Sequence, residues 1–335
     1  MTEWALEQRL CALLEATGAL VSRQLGTGVS EPANRVADVV LIDSGPQFDT
    51  RRQLTDASIP SLVIEADVGV GRARYWKDTV RDLEMHPERA RSAIDRAIEI
   101  GFLETERRNG RLYVRQAARY PADWFGELTA IEVKPDLDRP GDLATQLRTD
   151  VSLGVVDRVV LATTSHVTRA HLHQFPDPVG VWRVSPEEPN HEVVRAPEPL
   201  PVEAPGIELL SRQPGRADIT IVEPVAKTRA RRRLAERGYG KGWRPDAPIG
   251  CEHATVRSIA GVGGLPACSH YDRLVDPPND CGSACPAFEP AEPPSYDRLA
   301  ARDRHSPWVA EPTGRARRQG TLERYRNPEE GPQSS

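Results

Sequence analysis

Apolar residues recur at helical spacing near the start of the chain, where Leu6, Leu10, Leu13, Leu14 and Val21 share one stripe. The spacing predicts an amphipathic helix over residues 3–22, closed by a loop at Gly26 and Gly28. Two short β-branched runs follow, Ala37 to Ile42 and Ser61 to Glu65, and both read as strands. The pattern then changes. Pro87 opens a helix with Ala90, Ile94, Ala97 and Ile98 on its apolar face, and Gly101 stops it. Phe102–Glu106 and Arg111–Arg115 flank Asn109-Gly110, the strongest short hairpin signal. Beyond that, Thr129–Lys134 reads as a strand, 141–155 as a helix and 157–163 as a strand, an α/β alternation. Residues 186–215 are Pro-rich with little periodicity, and no internal repeat is visible.

Composition narrows the class. The 335 residues are 39% hydrophobic and 28% charged, and no apolar run approaches the ~20 residues a membrane helix needs. The opening Thr2-Glu3-Trp4 is unlike a signal peptide, so a cytoplasmic protein without membrane contact is expected. The net charge is -5, with 40 arginines against 4 lysines, a composition pointing to a high-salt or GC-rich host. Each lysine therefore merits individual attention. Helix, glycine stop, strand, Asn-Gly turn and strand over 79–116 together resemble the second half of a winged helix-turn-helix.

Glu132 and Lys134 lie two apart in a predicted strand, so both point to one face, away from Ile131 and Val133. A carboxylate beside an amine suits metal-assisted phosphodiester hydrolysis. The carboxylate holds a divalent cation, and the ammonium orients the attacking water or offsets phosphate charge. Asp38, on the earlier strand, is the natural second carboxylate; Glu65 or Asp67 is the alternative. An aspartate strand, a Glu-x-Lys strand, then a helix and a strand resemble the PD-(D/E)XK, or restriction-endonuclease-like, nuclease superfamily. Within it, the outline is most similar to archaeal Holliday junction resolvases. The resemblance covers residues 1–48 and about 128–185. It implies Mg²⁺ or Mn²⁺ at Asp38 and Glu132, Lys134 acting on water or phosphate, and assistance from Glu7 on the first helix and Gln146 on the later one, with Asp150 one turn beyond. It also implies duplex or branched DNA as partner and a homodimer as working unit. The long gap between Asp38 and Glu132 requires residues 49–127 to be an insertion.

Cys251, Cys268, Cys281 and Cys285 cluster among glycines and prolines. In a reducing compartment such a cluster reads as a metal site before a disulfide framework. Four thiolates suit Zn²⁺ or an iron–sulfur cluster, and His253 and His270 are alternative ligands. Some nucleases of the resembled superfamily carry a four-cysteine iron–sulfur site using a cysteine ahead of the nuclease. Cys11 stands where such a ligand would be, and a buried core cysteine is the competing reading. Residues 227–244 hold eight basic residues and one acid beside Tyr239 and Trp243, a nucleic-acid footprint if solvent-facing and a solvated arginine helix otherwise. The expected organisation is a nuclease core (1–48 and 128–185), an insertion (49–127), a connector with the basic stretch (186–249), a cysteine module (250–290) and a disordered tail (291–335). A DNA-binding regulator retaining the nuclease fold without catalysis is the rival reading, and an RNA-directed nuclease a third.

Overall fold

The computed structural model describes residues 1–30, 35–83, 85–305 and 307. They divide into two compact units, one of residues 1–44 with 126–307 and one of residues 45–125. Chain entry into the first unit is α1 (Glu3–Glu15), capped by Thr2, whose hydroxyl accepts from the Ala5 N–H at 3.2 Å. β1 (Leu20–Gly26) and β2 (Val36–Ser44) then pair antiparallel. The helix predicted through residue 22 thus stops early. Gly18, at φ +85, turns the chain, and Val21 continues the helical stripe by coincidence while belonging to a buried strand.

The 45–125 unit contains α2 (Phe48–Arg52), α3 (Ser61–Glu65), β3 (Arg74–Tyr75), α4 (Trp76–Asp82), α5 (Pro87–Glu99), β4 (Leu103–Arg108) and β5 (Arg111–Gln116). Ser61–Glu65 is helical, not the expected strand. Pro60 sits at its N-cap, and a three-residue apolar run, Leu62–Ile64, fits either period, so packing of Val63 and Ile64 into the local core decides it. The α5 face holds as expected, with Ala90, Ile94 and Ala97 buried. Asn109 and Gly110 both adopt positive φ, as a two-residue hairpin turn demands. The three strands run in the order β3-β5-β4.

The chain returns through β6 (Phe125–Val133), α6 (Leu143–Leu153), β7 (Arg158–Thr163), α7 (Arg169–Leu172), β8 (Gly180–Val184) and β9 (His191–Arg195). These complete a six-stranded mixed sheet of order β1-β2-β6-β7-β8-β9, parallel from β6 to β8 and antiparallel at β8/β9. The parallel centre explains the continuous apolar runs: β6 from Leu128 and β7 from Val159 are buried without alternation. The fold is mixed α/β, as the alternation implied.

Next come β10 (Gly206–Gln213), β11 (Arg216–Val222), α8 (Pro224–Lys241), β12 (Ala254–Ile259), β13 (Val262–Cys268), β14 (Arg273–Leu274), α9 (Pro277–Asp280) and α10 (Arg298–His305). Residues 186–215 are therefore not a bare connector. Their prolines bracket β9 and β10 instead of interrupting them. Within the expected tail, α10 is helical; residues 306 and 308–335 lie outside the described residues. α8 crosses β1 and β2 so closely that a Cβ on Gly238 would stand 2.4 Å from Ile42 Cδ1. Leu6 and Leu10 of α1 share one core with Val39, Ile131 and Val160 of the large sheet, and with Val262 and Leu265 of β13. That dual packing explains why residues 5–15 are all buried, Glu7 and Gln8 included. No helix among the described residues is long and apolar enough to cross a membrane.

Candidate active site and cysteine cluster

Asp38 lies in β2, next to β6 in the sheet, so its carboxylate meets the backbone of the neighbouring strand. Oδ2 accepts the Val133 N–H at 2.8 Å, and Oδ1 accepts from Gln24 Nε2 at 3.2 Å. Gln24 pays for that reach with a left-handed backbone, φ +51, and its amide also donates to Glu7 Oε1 at 3.3 Å. Glu3 and Glu7 are one turn apart on α1, so both face the same way. Glu3, Glu7 and Asp38 each offer an oxygen within 4.8 Å of the others. Burial raises the pKa of Glu7, against the Arg23 guanidinium paired with it at 2.8 Å. Burial also raises that of Asp38, against the Val133 N–H.

Glu132 and Lys134 leave the same side of β6 and meet different partners. Glu132 is buried beneath Arg35, whose guanidinium bonds it and reaches Asp150 at 2.9 Å. The face expected to be polar is thus covered, and its charge is answered from inside. Burial, reinforced by Asp38 nearby, pushes Glu132 up to about 7, with Arg35 opposing. Asp150 is pushed up to about 6 by burial, again against Arg35. Lys134 extends the β6/β7 ladder by one bond, its N–H donating to Ala162 at 2.9 Å, and its ammonium meets Glu3 at 3.3 Å. Five carboxylates (Glu3, Glu7, Asp38, Glu132, Asp150) thus share Arg23, Arg35 and Lys134, with Lys241 at the margin on the Gln24 carbonyl.

Four of the five expected site residues meet here: Glu7, Asp38, Glu132 and Lys134. Gln146 is half-buried on α6 and makes no side-chain hydrogen bond among the described residues; Asp150 takes the position facing the site. Leu143, Leu147 and Asp150 fall at helical spacing, so a carboxylate on that apolar stripe was a visible sign of a buried partner. Glu3, one turn before Glu7, was equally visible. Gln24 and Arg35 carried no sequence signal. Glu65 ends the short α3 and Asp67 the turn after it, so neither sits on a strand, and Asp38 alone does.

The basic stretch is largely structural. Tyr239 and Trp243 are buried and present no ring for base stacking. Lys227 is buried with its ammonium on the Pro201 and Ala204 carbonyls, Arg231 binds the Val155 carbonyl and Asp157, and Arg233 the carbonyls of Gly28 and Val29. Only Arg229, Arg237 and Lys241 of the eight basic residues are exposed.

The four cysteines converge. Cys251, Cys268, Cys281 and Cys285, all free thiols, line one cavity of about 30 Å³ together with His253 and Asp280. Burial, then Asp280 and the other three thiols, raise the pKa of Cys281. No three of these sulfurs lie within 4.8 Å of one another among the described residues. Cys11 is instead wholly buried in the core beside Leu10, its thiol pushed up by burial. His270 meets the His253 ring at a tilt and the Tyr271 ring edge-on, and does not line the cavity.

A family model described as a family of unknown function (DUF5787) matches residues 20–290. The chain belongs to the DUF5787 family. No curated protein and no solved structure matches it. The DUF5787 match takes in Asp38, Glu132, Lys134 and all four clustered cysteines, both units included, whereas Glu3 and Glu7 precede it.

Proposed function

We propose that this DUF5787 protein is a divalent-metal-dependent DNA nuclease built on a restriction-endonuclease-like core. The observation that carries the reading is the junction of β2 and β6. Asp38 is fixed by the Val133 N–H, Glu132 lies beside it, and α1 adds Glu3 and Glu7 from above. The order helix, three strands, helix, strand over α1-β1-β2-β6-α6-β7 supports the core assignment. The donor set is all oxygen, which suits Mg²⁺ or Mn²⁺, and crowded carboxylates outnumbering their cations favour a divalent ion. Asp38 and Glu132 would hold it, and the ion would lower the pKa of a bound water and polarise a phosphoryl oxygen. Lys134, half-buried just past the C-terminal end of β6, would orient water or offset phosphate charge once it leaves Glu3. In the other unit, the order α3-β3-α4-α5-β4-β5 and the β3-β5-β4 sheet support a winged helix, whose hairpin carries exposed Arg107, Arg108 and Arg111 toward duplex DNA.

Arg35 favours a second reading. Its guanidinium already neutralises Glu132 and Asp150, so the same fold would serve a non-catalytic DNA-binding regulator. Cleavage of labelled linear, flapped and four-way-junction DNA with Mg²⁺ or Mn²⁺ at high and low salt separates the two. Metal-dependent cutting lost in Glu132→Ala and Lys134→Ala is expected. Salt-sensitive DNA binding retained by both variants, without cutting under any condition, would select the regulator.

A further inference from the structure

The module carrying the cysteines is poorly able to hold itself together. β12, β13 and β14 have 6, 7 and 2 residues, and the buried apolar side chains of 250–290 are few: Val262, Leu265, Pro266, Ala267, Val275 and Pro277. Segments of this size ordinarily need a cross-link. Three separate stretches converge on the cavity instead: the turn at Cys251, the end of β13 at Cys268, and the loop after α9 with Cys281 and Cys285. The same small sheet is half of the seat of α1, since Val262 and Leu265 pack with Leu6, Leu10 and Leu14.

We propose that Cys251, Cys268, Cys281 and Cys285 hold a thiolate-ligated metal centre whose task is to seat the β12–β14 sheet on α1. Four thiolates from three segments tie together what the small core does not. A single tetrahedral zinc, with bonds of ~2.3 Å, sets its sulfurs about 3.8 Å apart. An iron–sulfur cluster takes the same four thiolates at wider spacing, and the metal content decides between the two. The centre also locates Glu3 and Glu7 indirectly, because both ride on α1. It stands whether or not the carboxylates hydrolyse DNA.

The test uses the full chain, purified without oxygen. Metal and acid-labile sulfide are measured alongside visible absorption for wild type, Cys268→Ser and Cys281→Ser, and hydrogen exchange is followed over residues 5–14. Bound metal, either one zinc or iron with sulfide, lost in both variants is expected, with α1 amides exchanging at least tenfold faster. Metal content independent of the cysteines overturns the site. Should the variants not fold, chelation of the wild type and reloading serve instead. α1 exchange that ignores metal removal would overturn the seating role.

Discussion

The carboxylate site and the cysteine site answer their charge in opposite ways. At the first, Arg23 and Arg35 come from the same β1–β2 hairpin that supplies Asp38, so the protein provides its own cations to Glu7, Glu132 and Asp150. At the second, four thiols line a small cavity where Arg273 is already paired with Asp280 at 3.5 Å, and burial, then Asp280 and the other thiols, raise the Cys281 pKa. Acidic clusters have structural uses as buried ion-pair networks, and such networks fold without a metal. Converging thiols from unconnected loops have far fewer alternatives in a reducing compartment. The carboxylate site stands on the central strands of the large sheet, with α1 adding Glu3 and Glu7. The cysteine site draws Cys268 from the end of β13 and its other three thiols from turns and loops.

Substitutions at the two sites separate catalysis from packing. The largest effect expected is on cleavage. Glu132→Ala and Lys134→Ala should each lower the metal-dependent rate by about 10²–10⁴-fold at unchanged metal content of the cysteine site. A fall below tenfold in single-turnover assays would reduce these residues to bystanders. Next is Arg35→Met. It strands two buried carboxylates and should cost about 3–5 kcal/mol in urea unfolding, partly recovered in acid as Glu132 and Asp150 protonate. A neutral Arg35→Met would mean the carboxylates were never answered by that guanidinium.

The pH dependence gives a subtler contrast. A carboxyl with a folded pKa raised to about 7 binds its proton more tightly in the native state. Its contribution to stability is therefore full below the ordinary glutamate value and is lost as pH rises toward 7. Wild type should lose thermal stability relative to Glu132→Gln between about pH 4.5 and 7, and parallel melting curves for the two across that range would contradict the burial argument. Smallest of all should be Gln146→Ala. With no bond into the site, it should change cleavage by less than about threefold, within the ordinary range of a surface substitution.

How much was legible in the sequence follows the same division. Asp38, Glu132 and Lys134 were visible because strand periodicity fixes which face a residue takes, and β-branched runs mark the central strands. The hairpin at Asn109-Gly110 and the Pro87 helix were visible because turn and cap chemistry is local. Arg35 was not, since its partners lie 97 and 115 residues away and no spacing rule connects them. Ser61–Glu65 was misread because three consecutive apolar residues carry no period of their own, and Val21 because a strand residue happened to continue a helical stripe. The basic stretch misled most. Composition announces arginine and aromatics, but only packing reveals that Tyr239 and Trp243 face the core and that several basic groups cap carbonyls. For the cysteines, clustering in sequence became convergence in space, and Cys11 went to the core.

The central claim is that the Asp38–Glu132 junction is built for a divalent cation. Mn²⁺ titration of the full-length protein tests it without needing the right DNA, comparing wild type, Asp38→Asn and Glu132→Gln at pH 6 and 8. The account predicts saturable binding in wild type, tighter at pH 8 where Glu132 is ionised, and lost in both variants while the cysteine centre remains loaded. Mn²⁺ binding unchanged by either substitution, or absent from wild type at both pH values, would contradict it.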